Sequence, residues 1–283
     1  MHLKGIEKFR AKLPALSGKK ILILPFYWIF WMGMTFLMMI LLANLPEIDS
    51  PMSVIYPIIG LILIESMAIF LVYQMWYWKD RFKTKYGQTS YQRIFLIGFA
   101  GIIIMITLAI NNLLPIFLFD RDLWSINPFR IWGSPINELI GLNWIGWNII
   151  CDIVGILIAV IGFRTIFRSI MTFGFDYMTV VYLYFPEESE IQNHEIYSVL
   201  RHPTYGALIY ICFGGFLIQF SLLSFIYFII YVIGFFIHIR FVEERELLIR
   251  FGEGYRTYMK SVPAIFVQPK NLPKFFRFLI GAK

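Results

Sequence analysis

The stretch that decides the fold lies between Ala207 and Val242 and reads ALIYICFGGFLIQFSLLSFIYFIIYVIGFFIHIRFV. It is almost entirely apolar, and Ser221-Leu222-Leu223-Ser224 interrupts it near its middle. Since a transmembrane helix needs about 20 apolar residues, the stretch predicts a membrane hairpin of two helices. Its arms are Tyr205–Phe220, which is short for a full crossing, and Leu222–Ile239.

Four more apolar stretches precede this hairpin, and each is long enough to cross a bilayer. They are Ile21–Leu45, Ser53–Trp78, Ile94–Phe119 and Leu139–Phe167. Hydrophobic residues make up 59% of the chain and charged residues 15%, and the mean hydropathy is +0.69, which excludes an ordinary soluble domain. The sequence therefore predicts an all-α, polytopic integral membrane protein with about six membrane-crossing helices.

Lysine and arginine are distributed unevenly among the segments between these helices. They are abundant in residues 1–20 and 79–93 and scarce in residues 46–52, residues 120–138 and the hairpin turn. By the positive-inside rule the N-terminus, the segment 168–204 and the C-terminal tail are cytoplasmic. The net charge of +7 then reflects this orientation and an attraction to anionic lipid head groups. We expect no nucleic-acid partner.

Histidine and cysteine are scarce, with four and two residues respectively. Cys151 and Cys212 both fall inside apolar stretches, which favours packing over a disulfide framework. None of the histidines has metal-ligand spacing, so we expect no metal site.

Residues that can do chemistry are concentrated in the second part of the chain. Residues 1–164 predict a transmembrane scaffold of four spans, whereas residues 165–283 place the hairpin between two polar stretches. No Pro/Gly/Ser-rich linker divides these parts, which indicates one membrane domain with a catalytic C-terminal part. The acidic stretch Phe185–Glu190 is interpreted as a solvated loop, with a lid over a ligand site as the alternative.

Polar motifs flank the hairpin on both sides. The motif segment Arg201-His202-Pro203-Thr204-Tyr205-Gly206 precedes it; Glu243-Glu244, Phe251-Gly252-Glu253-Gly254-Tyr255-Arg256-Thr257-Tyr258 and Val262-Pro263 follow it. Over roughly the last third of the chain, this order resembles the isoprenylcysteine carboxyl methyltransferase and phospholipid methyltransferase family. The resemblance implies an integral membrane enzyme that transfers a methyl group from S-adenosylmethionine, with its cofactor pocket at the cytoplasmic face.

The motif segment suits an anionic part of such a cofactor. A residue before proline avoids the α conformation and proline fits the first helical turn, so Arg201 and His202 should lie at a helix N-terminus. Free N–H groups and the positive end of the helix dipole there favour the cofactor carboxylate. Tyr205 lies in the same turn, and Gly206 permits close approach of a ligand or of another helix.

The second motif places carboxylates at the far end of the hairpin. Arg240 and Glu244 are i, i+4 neighbours, and Glu243 follows Arg240 by three residues. Charges where a helix leaves the membrane are commonly explained by snorkelling. The resemblance instead favours carboxylates that hold the ammonium end of the cofactor and its sulfonium charge.

Three tyrosines accompany these motifs. The glycines at 252 and 254 predict a helix stop, after which Tyr255 and Tyr258 share a helical face that borders the adenine or packs on the membrane. Tyr197 matches a tyrosine that the family often shows before the motif segment. The Gly-Pro that usually precedes it is replaced here by Glu195-Ile196.

The resemblance and the residues together give a set of candidate roles. The predicted catalytic residues are Arg201, Arg240, Glu243 and Glu244. The predicted residues that bind S-adenosylmethionine are Tyr197, His202, Pro203, Tyr205, Gly206, Glu244, Tyr255 and Tyr258.

The methyl acceptor is left open. The first candidate is the carboxylate of a prenylated cysteine or a related lipid group, and a phospholipid amine or a small thiol is the alternative. A carboxylate needs only a cation such as Arg201 or Arg240 to place it. An amine must lose a proton, for which Glu243 or Glu244 is the candidate base. The sequence does not define the oligomeric state.

Two more distant classes compete with a methyltransferase. Sterol-type reductases share a similar C-terminal motif set but use NADPH and usually have more spans. A non-catalytic channel or transporter is disfavoured because the scaffold lacks a row of intramembrane charges.

A few polar residues lie inside the predicted scaffold spans. Glu65 and Asp152 are ionisable residues at membrane depth, so we interpret them as candidates for a substrate entry route. The asparagines are interpreted as interhelical hydrogen-bonding residues. They are Asn111, Asn112, Asn143 and Asn148.

Overall fold

The computed structural model describes residues 4–44, 52–113, 136–141 and 145–281, and these are helical without any strand. The α-helices of this part of the chain are α1 (Ile6–Ala11), α2 (Ile23–Asn44), α3 (Met52–Tyr77), α4 (Lys79–Tyr86), α5 (Ser90–Asn111), α6 (Ile136–Leu139), α7 (Ile145–Phe173), α8 (Phe175–Met178), α9 (Val181–Tyr184), α10 (Pro203–Gln219), α11 (Leu222–His238), α12 (Glu244–Ser261) and α13 (Leu272–Ile280). A π-helical turn, Ile239–Glu243, joins α11 to α12. Short 3-10 turns lie at Pro14–Leu16, Gly18–Leu22, Gly87–Thr89, Pro186–Glu188, Glu195–Ser198 and Pro269–Asn271.

Five helical stretches of the described residues are long and apolar enough to cross a membrane. They are Gly18–Leu42, Ile55–Tyr77, Lys79–Asn111, Gly146–Phe173 and Leu222–Ser261, and a shorter apolar helix covers Pro203–Gln219. The prediction of an all-α polytopic membrane protein is confirmed. The sixth crossing stays a prediction because the helix Pro203–Gln219 is shorter than the other five, and the cytoplasmic side of the termini stays a prediction as well. Residues 46–51 and most of the predicted loop 120–138 lie outside the described residues.

The hairpin forms where its sequence predicts it. α10 ends at Gln219, α11 begins at Leu222, and Ser221 is the N-cap between them. The backbone N–H of Ser224 donates to Ser221 Oγ and that of Ser221 to Ser224 Oγ, each over 3.2 Å. This reciprocal capping box satisfies two amides that lipid would leave without partners.

Small residues allow α7 and α10 to pack closely. A Cβ added to Gly155 would lie 2.6 Å from the carbonyl oxygen of Gly214, and one added to Gly162 would lie 2.6 Å from that of Ala207. Because lipid offers no hydrophobic drive for helix association, such close backbone packing is a main source of stability in the membrane. The pair holds the start of α10, and therefore the motif segment, in place.

Polar residues of the scaffold have partners of different kinds. Asn112 Nδ2 donates to the carbonyl oxygen of Cys212 over 3.3 Å, and Gln219 Nε2 donates to the Asn112 carbonyl, which confirms the interhelical role for this asparagine. Cys151 and Cys212 are buried free thiols. Glu65 is buried with its carboxylate against Gly234 of α11. Asn143 lies outside the described residues.

We expect Gly214→Val to destabilise the protein. The larger side chain must push α10 away from Gly155, and such overpacking costs about 1–3 kcal/mol. The measurement is thermal unfolding of the purified protein in detergent. Gly33→Val is the matched control, because a Cβ at Gly33 of α2 meets open space. Equal melting temperatures for the two variants would contradict the close packing.

Candidate active site

A cavity opens between the start of α10, the start of α12, the end of α3 and the middle of α5. The space between its lining atoms, part of it open to solvent, amounts to about 1370 Å³. Its scaffold wall is apolar and consists of Val72, Trp76, Ile102, Met105 and Ile106. Its other walls come from residues 177–192, the motif segment and α12, and they carry the charged groups.

The motif segment is tied to the C-terminal tail through its backbone. The N–H groups of Arg201 and His202 donate to the carbonyl oxygens of Pro263 and Ala264, each over 2.9 Å. His202 has φ −124° and ψ 68°, outside the α region as its position before proline predicts, and α10 begins at Pro203. The Val262-Pro263 motif thus serves to fix the motif segment.

The π-helical turn brings two adjacent glutamates of the hairpin's far end against His202. His202 Nδ1 lies 3.1 Å from Glu243 Oε2, and His202 Nε2 lies 3.4 Å from Glu244 Oε1. A π turn is a local irregularity that is frequent at functional sites. The structure thus brings the His-Pro turn and the two glutamates together, as the sequence predicts.

Glu244 forms a buried ion pair with Arg201. Its Oε1 accepts from Arg201 Nε over 3.0 Å and from Arg201 Nη2 over 2.5 Å, and the two side chains are 4% and 8% exposed. Arg201 Nη1 donates to the carbonyl oxygens of Met259, over 3.0 Å, and of Val262. Through these hydrogen bonds the guanidinium of Arg201, which lies just before α10, connects the start of α10 to both the start and the end of α12.

The charge state of His202 is set by its neighbours. Burial alone would lower the pKa of His202, but the carboxylates of Glu243 and Glu244 beside it outweigh that effect, and the pKa is raised above its usual value. Once neutral, the imidazole is a stronger proton acceptor than a free histidine.

The tyrosines line the cavity near this cluster. Tyr258 Oη donates to the carbonyl oxygen of Tyr197 over 2.5 Å, and Tyr255 is 4% exposed with its buried hydroxyl lacking a hydrogen-bond partner among the described residues. The helix stop predicted at Gly252 is confirmed: with φ of 56° and ψ of −131° this residue is non-helical, and the kink there divides α12 into two helical pieces, the second of which ends at Ser261. The kink lets Tyr255 and Tyr258 turn inward instead of lying on the membrane surface.

The position before Tyr197 shows how the chain departs from the resemblance. Glu195 has φ of 50°, in the left-handed region that favours glycine, and the resemblance places glycine there. The local turn is therefore kept although its usual residue is missing.

Most of the predicted site residues line one cavity. Those that do are Tyr197, Arg201, His202, Pro203, Tyr205, Glu243, Tyr255 and Tyr258. Glu244 lies behind the wall in its ion pair, Gly206 packs against the backbone of Ile265, and the side chain of Arg240 is 55% exposed, 3.8 Å from Glu244 Oε2. These three do not line the cavity. Glu65 and Asp152 do not line it either.

Sequence reasoning missed several lining residues. Glu246 and Arg250 follow Glu243 by three and seven residues, so helical periodicity places them on its face of α12, a signal that the sequence contained. The segment 177–192 contributes Tyr177, Tyr182 and, from the acidic stretch, Ser189 and Glu190. The glutamates of the acidic stretch, at 187, 188 and 190, are exposed, as predicted for a solvated loop, and the lid stays a prediction. Lys12 forms an ion pair with Glu188 of the acidic stretch, with 2.5 Å between Lys12 Nζ and Glu188 Oε1.

Among the described residues, no group of three histidine, cysteine, aspartate or glutamate side chains is arranged to hold a metal ion.

A known protein family matches part of this chain. Residues 150–254 match the phospholipid methyltransferase family. The predicted resemblance to the isoprenylcysteine carboxyl and phospholipid methyltransferase group is confirmed, and the match implies a membrane methyltransferase. The matched residues run from α7 to the kink in α12 and include the motif segment, Glu243 and Glu244. No curated protein and no solved structure matches the chain.

We expect Glu244→Gln to destabilise the fold. It would leave Arg201 charged and buried without its counter-ion, at a cost of about 3 kcal/mol. Thermal unfolding in detergent measures this, with Glu253→Gln as the control, because Glu253 and its partner Arg256 are 78% and 60% exposed. A melting temperature of Glu244→Gln equal to that of the control would contradict the role of the pair.

Proposed function

We propose that the protein transfers a methyl group from S-adenosylmethionine to the polar head of a lipid at the cytoplasmic edge of the membrane. The observation that carries this proposal is the cavity itself, in which the family's motif residues face an apolar wall built by α3 and α5. A polar cofactor needs polar and charged walls, and a lipid needs an apolar wall, and this cavity has both.

The residues present fit S-adenosylmethionine. Among the described residues no side chain caps the first turn of α10, so the free backbone N–H groups of this turn can donate to the cofactor carboxylate. The carboxylate of Glu243 suits the ammonium and sulfonium charges, and the unpaired hydroxyl of Tyr255 offers a donor for the nucleoside. The cofactor, when bound, supplies an electrophilic methyl group. The chain's own residues hold it, align the acceptor and exclude water.

The geometry favours an amine acceptor over a carboxylate. A carboxylate would need a free cation beside the motif segment, but the donors of Arg201 are engaged by Glu244 and by backbone carbonyls, and Arg240 points outside the cavity. An amine needs a proton acceptor, and Glu243 with His202 provides one at the cavity wall. A phospholipid amine is therefore our proposed acceptor, ahead of a prenylated cysteine.

We expect the purified protein to transfer labelled methyl groups from S-adenosylmethionine to phosphatidylethanolamine in mixed micelles. After treatment with base the label should stay non-volatile, because an N-methyl group survives while a methyl ester releases methanol. Glu243→Gln should lower the rate by at least 100-fold, since a positioned acid–base group contributes about 10²–10⁴-fold. It should also weaken the binding of S-adenosylhomocysteine, because the same carboxylate is proposed to hold the ammonium group that this ligand shares with the cofactor.

The matched control is Glu187→Gln, because Glu187 is an exposed carboxylate of the nearby acidic stretch. Volatile label would contradict the amine acceptor. Stabilisation by NADPH instead of S-adenosylhomocysteine would contradict the methyltransferase.

A further inference from the structure

We propose that Arg250, with Lys79 beside it on the shared carboxylate of Glu246, forms an oxyanion subsite that holds the phosphodiester of the lipid substrate, apart from the atom that is methylated. The inference rests on the proposed function and adds to it a binding site outside the motif residues. Arg250 lines the same cavity as His202 and Glu243, but neither it nor Lys79 belongs to the motifs described above.

Both cations form ion pairs with one carboxylate, that of Glu246. Lys79 Nζ lies 2.9 and 2.8 Å from the two oxygens of Glu246, and Arg250 Nη2 lies 3.2 Å from Glu246 Oε1. The side chains of Lys79, Glu246 and Arg250 are 18%, 15% and 12% exposed. A further cavity carboxylate, Glu190, accepts from Gln192 instead.

The charges of this cluster do not balance. Lys79 and Arg250 share the single carboxylate of Glu246 in a largely buried place, so the charge of Glu246 neutralises only one of the two cations. Arg250 and Glu246 line the cavity, and an anion held beside Arg250 would complete the neutralisation of this cluster. The Nε of Arg250 is buried and has no hydrogen-bond partner among the described residues. An arginine fork with a free edge is suited to bidentate recognition of phosphate.

The position of the cluster separates the anion from the reacting group. Arg250 follows Glu243 by seven residues, a rise of about 10 Å along a helix. An oxyanion held by Arg250 is therefore not the group that meets the proton acceptor at His202 and Glu243. A phospholipid head with an amine at one end and a phosphodiester a few bonds away matches this spacing, and its acyl chains can follow the wall of Val72, Ile102 and Ile106.

Lys79 adds a contribution from the scaffold. It is the first residue of α4, directly after α3, and it lies outside the segment that matches the family. The subsite thus joins the two parts of the chain, and it indicates that the scaffold helps to select the substrate.

The test compares Arg250→Gln with Arg256→Gln, its exposed neighbour on α12. In mixed micelles, Arg250→Gln should raise the KM for phosphatidylethanolamine by about tenfold or more, as expected for the loss of a charge-assisted hydrogen bond. Its kcat and its affinity for S-adenosylhomocysteine should stay within about twofold of the wild type. Arg250→Lys, which keeps the charge without the fork, should restore part of the loss. An unchanged KM, or a weakened affinity for S-adenosylhomocysteine, would overturn the proposal.

A second readout does not depend on activity. Short-chain phosphatidylethanolamine should raise the melting temperature of the wild type and of Arg256→Gln, but not that of Arg250→Gln, and diacylglycerol should not distinguish the three. This pattern in a protein without methyl transfer would support the subsite and reject the function. Stabilisation by a farnesylcysteine carboxylate with the same dependence on Arg250 would overturn the phosphodiester assignment.

Discussion

The ion pair between Arg201 and Glu244 is the interaction on which the site depends. It joins residues far apart in the chain at the membrane end of the hairpin, and both side chains are almost fully buried. The same guanidinium binds carbonyl oxygens at the end of α12, so one side chain fixes three chain segments. Removing one partner of a buried ion pair costs more free energy than the intact pair contributes to stability, because it leaves a buried charge without a counter-ion. The arrangement of the site therefore depends on both residues together.

This pair allows its neighbours to act on ligands. Because Arg201 neutralises Glu244, the second carboxylate, Glu243, remains to face His202 and the cavity. The backbone contacts to Pro263 and Ala264 leave the first turn of α10 at the cavity wall. The motif residues therefore divide into a group that holds the architecture and a group that meets the cofactor.

Much of this arrangement was predictable from local sequence. The hairpin turn follows from the serines at 221 and 224, and the start of α10 follows from His202-Pro203. The shared cavity followed from the order of the motifs. The kink at Gly252 follows from the glycines at 252 and 254, whereas the inward position of Tyr255 and Tyr258 depends on packing. The pairing of Lys79 with Glu246 joins residues distant in the chain, and no local pattern encodes it. The exposure of Arg240 likewise follows from how α11 and α12 are oriented in the bundle.

The most direct test of the central claim is photochemical cross-linking of methyl-labelled S-adenosylmethionine to the purified protein, with the labelled peptides mapped by mass spectrometry. The account predicts label on the peptides that contain Tyr197, Tyr205 or Tyr255, and its loss when excess S-adenosylhomocysteine is present. Label confined to the scaffold helices, or label that the competitor does not displace, would contradict a cofactor pocket between the motif segment and α12.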